Sequence, residues 1–283
     1  MNPAAWLLSL GICFCTTLAA HAQDSPPGPA PRIQSVLDAA AEYDKTLVPF
    51  HSAHQAIVGT LMREGALPGV ENALYAHAVF QAFDISQLEK EPPVTNLIGM
   101  CNEANSTEAV YIIYGAKKED LDPFAIQPRL KPEPTAHTST LKRENYLRFQ
   151  NELVAALGFL LTCRTQELER LKTYLGQMSP DEMAVFRIGF ADFQGSLAET
   201  VTYHAEALRY PIRPENRQAV LDLLVQYIDP LAAGMTKQSR RTAAAAVTKA
   251  LAASKDSPDA IAKLGKMQQA LKRTDCGTIC AFR

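Results

Sequence analysis

The chain has 283 residues, 47 % of them apolar, and a formal net charge of −2. That apolar share supports a packed core and excludes wholesale disorder. No G-x-S-x-G, P-loop or Rossmann glycine pattern occurs, so the commonest nucleophile-elbow and phosphate-cradle enzymes are without their signatures.

Residues 1–22 read as a secretory signal, because Trp6–Leu18 is largely apolar and Ala20-His21-Ala22 supplies an A-x-A cleavage site. The expected location is periplasmic or secreted. The apolar run is too short to span a bilayer, and no later run reaches 18 apolar residues, so no transmembrane segment is expected after cleavage. Residues 23–31 form a proline-rich spacer that cannot be helical. Residues 32–230 are expected to form a helical bundle domain. Residues 231–283 are expected to add basic, alanine-rich helices packed on that domain.

Within the bundle, Ile33–Leu47 and Phe50–Glu64 carry apolar residues at helical spacing, the second through Ile57, Val58 and Leu61. Val70–Leu88 is expected as a third helix, with Leu74, Ala78, Phe83 and Leu88 among its apolar positions. Glu91–Thr140 reads as one long irregular connection, opened by Pro92-Pro93 and carrying Pro123, Pro128, Pro132 and Pro134. Inside it, Ala109–Tyr114 suits a strand by composition. With no partner strand in view, a short buried helix is expected there instead.

Leu141–Gln177 contains no proline, and eight of its leucines, from Leu147 to Leu175, fall on one helical face. A single central helix of ~55 Å is expected there. Ser179-Pro180-Asp181-Glu182 then supplies an N-cap hydroxyl, Pro at N1 and Glu at N3. The stripe Met183, Phe186, Phe190, Phe193, Leu197, Val201, His204 and Leu208 follows, running towards Tyr210. Pro214 opens a further helix that Pro230 kinks or ends. Lys237–Ser254 is alanine-rich and helix-prone, and Ser257-Pro258 caps a last helix through Ile261, Leu264, Met267 and Leu271. The expected fold is all-α, an antiparallel helical bundle of about eight helices with one long irregular connection.

Cys101, Cys163, Cys276 and Cys280 remain after signal cleavage. Four cysteines in an oxidising compartment point to two disulfides with three possible connectivities. Cys276 and Cys280 are close enough in sequence to close locally. Cys101–Cys163 would then tie the irregular region to the central helix.

Charge is polarised. Residues 231–283 carry ten Lys/Arg against three Asp/Glu, whereas residues 1–230 carry eighteen against twenty-seven. Lys237, Arg240, Arg241, Lys249, Lys263, Lys266, Lys272 and Arg273 are therefore the candidate partner-binding residues. Their partner would be an anionic envelope surface or an acidic protein. Nucleic acid does not suit an exported chain.

The alternative is a metal- or haem-associated helical-bundle protein or enzyme using His51, His54 and His77. His51 and His54 lie three apart on one helix and His77 on the next, so three imidazoles would converge if the two helices run antiparallel. His204 continues an apolar stripe and reads as a core histidine. No catalytic residue is nominated and no cofactor is favoured. The leading expectation is an exported, non-enzymatic binding or interaction protein.

Overall fold

A computed structural model describes residues 51–273, apart from positions 74, 92–93, 124–128, 132, 134 and 177. The signal sequence, the proline-rich spacer, the Ile33–Leu47 segment, Cys276 and Cys280 lie outside the described residues. Among those described, the chain is all-α, with no strand beyond one isolated bridge between Leu121 and Leu130. No helix among them is long and apolar enough to cross a membrane.

The first helix, α1, covers 51–64 and buries Ala53 and Ile57. It ends at Gly65, whose φ of 64° lets its N–H turn back to the Leu61 carbonyl. The expected single helix over Val70–Leu88 is instead two short pieces, α2 (Ala76–Ala82) and α3 (Ser86–Glu89). Asp84 divides them: its side chain accepts the Ser86 N–H at 3.0 Å, a local bond that competes with the helical ladder.

The region expected to be irregular is largely helical. Helix α4 runs over Val94–Ile112 and contains most of Ala109–Tyr114. Its apolar face, Leu97, Met100, Cys101, Ala104 and Tyr111, is buried. The chain then passes through a short 3-10 turn, Lys118–Asp120, to α5 (Ala136–Arg148). Thr135 starts α5 as a capping box with Thr138, so this helix begins inside the stretch read as loop. Asn145 of α5 donates to the carbonyls of Ile112 and Tyr114, both at 2.8 Å, closing the C-terminal end of α4.

The central helix is likewise two helices. α5 stops at Phe149, where the backbone leaves helical geometry, and α6 (Gln150–Leu175) continues at ~39 Å. No glycine or proline causes this break. The Phe149 ring is turned inward against Tyr111 and Tyr114, at centroid distances of 5.2 and 5.5 Å. The Gln150 amide donates to the Leu147 carbonyl, replacing a lost helical bond. Edge-on aromatic packing and a side-chain cap together offset the interruption.

α7 (Pro180–Ala207) and α8 (Pro214–Gly234) follow, with both starts where Pro at N1 predicts them. Pro230 is accommodated inside α8, which continues to Gly234 and so crosses the expected boundary at residue 230. α9 (Lys237–Ala253) and α10 (Pro258–Leu271) are capped by the side chains of Thr236 and Ser257.

α6 is the organising element. It packs against α4 and α8, and more lightly against α5 and α7. α9 lies on α7, while α10 lies on α8 and α9, so the basic helices belong to the same core. Cys101 of α4 and Cys163 of α6 form a buried disulfide with Cα atoms 5.7 Å apart, one of the connectivities open from sequence.

Candidate functional site

Three groups of polar side chains are built by this packing, one sealed inside, one joining α1 to α4 and one on the outer helices. The inner group centres on His204, which has no exposed surface. Its α7 stripe carries it into the core, as its spacing implies. Its partner, however, comes from 96 residues away: Nε2 lies 2.8 Å from Glu108 Oε1 on α4. Nδ1 lies 2.9 Å from the Tyr146 hydroxyl on α5. One proton arrangement satisfies all three groups. His204 donates from Nε2 to the carboxylate, and Tyr146 donates to Nδ1. Burial, reinforced by the nearby Glu108, pushes the Tyr146 hydroxyl far above its ordinary range, so it keeps its proton and acts as donor.

Tyr203 and Tyr210 pack around Tyr146 at ring distances of 5.4 and 6.2 Å. The Glu108–His204–Tyr146 chain of hydrogen bonds pins α4, α5 and α7 together, while the buried Tyr203 hydroxyl beside it has no hydrogen-bond partner among the described residues. The network lines neither of the two surface grooves described below. Chemically it can hold a proton in place.

A second cluster joins α1 to α4. His51 Nδ1 lies 3.0 Å from Glu103 Oε1, and His54 Nδ1 bonds Thr107 Oγ1. Thr107 gives its own proton to the Glu103 carbonyl, so it accepts from His54. Burial lowers the His54 pKa, against the pull of Glu103 and with a smaller push from His51. His77 sits exposed on α2.

Among the described residues no three His, Cys, Asp or Glu side chains gather in a way that could hold a metal ion. The expected convergence of His51, His54 and His77 is therefore not formed. The reason is the broken Val70–Leu88 segment, which leaves His77 on a two-turn helix rather than on a long partner of α1.

The outer group is the set of basic residues, and the structure divides it. Arg240 is buried, and its Nη1 donates to the carbonyls of Ala232 and Met235 at 3.2 and 3.0 Å. It caps the end of α8 and is not available to a partner. Lys263 bridges Asp222 and Asp259 at 2.6 and 2.7 Å. Its hydrogen bonds hold both carboxyls below their usual range. Arg273 bonds the Asp229 carbonyl at 3.1 Å. These three complement the molecule's own acidic residues or backbone.

The remaining five, Lys237, Arg241, Lys249, Lys266 and Lys272, are exposed and form no ion pair among the described residues. Lys237, Arg241 and Lys249 fall on one i, i+4 row of α9 at steps of four and eight residues, a row that winds by about 120° around the outer side of the helix from Lys237 to Lys249. Beside that row runs a groove of about 370 Å³ between α9 and α7, lined by Arg241, Lys249, Thr202 and Glu206. A second groove of about 420 Å³, between α8 and α10, carries Asp229, Lys266 and Arg273.

The Tyr146–His204–Glu108 network escaped the sequence reading because Glu108 lies 96 residues from His204, within the region expected to be irregular. Only the burial of His204 was signalled. Compared with known proteins, the chain matches no family model, no curated protein and no solved structure.

Proposed function

We propose that this is an exported, non-enzymatic interaction protein that docks an anionic partner through the outer face of α9. The observation that carries this reading is the row Lys237, Arg241 and Lys249. These cations are exposed on a regular helix and meet no carboxylate among the described residues, while their neighbours Arg240, Lys263 and Arg273 are internally engaged. Cations held on a rigid helix but left without partners raise the local positive potential and steer acidic surfaces towards it. Export rests on the signal sequence, and a buried disulfide suits an oxidising compartment.

The test is co-sedimentation with isolated envelope fractions across a salt series, comparing the mature protein with Lys237→Gln/Arg241→Gln/Lys249→Gln. Association that weakens with salt and falls at least tenfold in the variant is the expected result. Equal sedimentation of the two proteins would overturn the reading. Arg240→Gln serves as a contrast, because it is expected to lower stability rather than association.

A further inference from the structure

Resting on that reading of α9, we infer that its occupant is an acidic helix of a partner protein, seated on the Lys237–Arg241–Lys249 row and over the α7–α9 groove. Successive positions of the row rise by about 6 Å per four residues. A helix bearing carboxylates four residues apart offers the same interval, so one straight helix can meet several cations at once. Lipid headgroups have no fixed spacing of this kind.

The surface itself favours a helix over a bilayer. The row's missing member is Ala245, which stands between Arg241 and Lys249 and lets a second backbone come close. α9 exposes no large apolar side chain. Those exposed among the described residues are Met62, Phe80, Ile85 and Ile261, all on other elements, so this face has no wedge for insertion into lipid.

The groove adds chemistry. Thr202 lines the groove, and its hydroxyl has no hydrogen-bond partner among the described residues. Most helical threonines nearby spend that proton on a carbonyl one turn back, as Thr200 and Thr242 do. Glu206 shares the groove with Arg241 and Lys249 without pairing to either among the described residues. It repels a carboxylate at its own position and welcomes a donor, which sets the register of the incoming helix. The recognised pattern is thus carboxylates opposite the three cations and a donor side chain opposite Glu206.

The experiment titrates the isotope-labelled mature protein at low salt with a capped (EAAA)5 peptide, following backbone amide resonances. An isomer of the same composition with its five glutamates in one block is the control, and phosphatidylglycerol vesicles are the third probe. Shifts confined to α9 and the Thr202 turn are expected. The spaced peptide should bind at least fivefold more tightly than the blocked one, and Arg241→Gln should abolish that preference. Equal binding of both peptides overturns the helix, because net charge alone would then suffice. Shifts with vesicles and none with peptides overturn it in favour of lipid while leaving α9 as the docking face. No shift with any of the three overturns both.

Discussion

Breaking the Cys101–Cys163 bond should remove a large share of the stability of this fold. The bridge spans 62 residues of sequence, from α4 to the middle of α6. For a loop of that length the chain-entropy account gives about 14 cal/mol/K, or about 4 kcal/mol at 25 °C. Both sulfurs are fully buried, so reduction replaces a bond with two thiols held in the same apolar space and adds little else. The assay is urea unfolding followed by far-UV circular dichroism, oxidised against reduced, in a Cys276→Ser/Cys280→Ser background so that only this pair responds. The reduced form should unfold at a lower midpoint with a steeper denaturant dependence, because its unfolded chain is more expanded. The single variant Cys101→Ala should lose nearly as much as Cys101→Ala/Cys163→Ala, since either one opens the loop. A loss below ~1 kcal/mol on reduction would refute the reasoning, and would mean that α4–α6 packing already restrains this segment in the unfolded chain.

Gly234→Ala places a methyl 2.7 Å from Leu168 Cδ2 and 2.9 Å from Leu197 Cδ1, where α6, α7 and α8 meet. Overpacking of this kind costs about 1–3 kcal/mol, which a lowered denaturation midpoint would report. His204→Ala strands the Glu108 carboxylate and the Tyr146 hydroxyl in the core. It should cost about 3–5 kcal/mol, and an unchanged midpoint would show that neither group depends on the imidazole. His54 has a folded pKa below its unfolded value of 6.5. Its unfolded form therefore binds the proton first, and stability falls as pH drops below about 6.5. The melting temperature should decline more steeply between pH 7 and 5 in the native protein than in His54→Asn, and parallel profiles would contradict this origin.

Wherever local chemistry was sufficient, the sequence was readable. Pro180 and Pro214 at N1, Ser257 as a cap and the leucines of α6 each declare themselves through positions a few residues apart. The Cys101–Cys163 pairing was one of three open connectivities, and the other two cysteines lie outside the described residues. The misreadings have a common physical form, in which a distant side chain outweighed local preference. Phe149 breaks the central helix because Tyr111 and Tyr114 are there to receive its ring. α4 is helical through Asn102, Asn105, Ser106 and Thr107, poor helix formers, because its other face is buried on α6.

The same contrast separates the two candidate sites. Histidine, glutamate and tyrosine look catalytic in a sequence, yet here they meet in a core where each satisfies the others. Arg240 looks like part of a basic surface, yet the short turn between α8 and α9 brings the last carbonyls of α8 within its reach and it turns inward. Arg241, one residue on, is rotated by about 100° around the helix and has no such carbonyl to bind. A net count of charge cannot tell these two arginines apart. What distinguishes them is which side of α9 faces the core, and that is fixed by Ala243, Ala246, Val247 and Ala250 packing inward. The thin apolar stripe of α9 is therefore what leaves Lys237, Arg241 and Lys249 facing outward, and shifting the stripe one residue towards the C-terminus would turn Arg241 into the place that Arg240 holds.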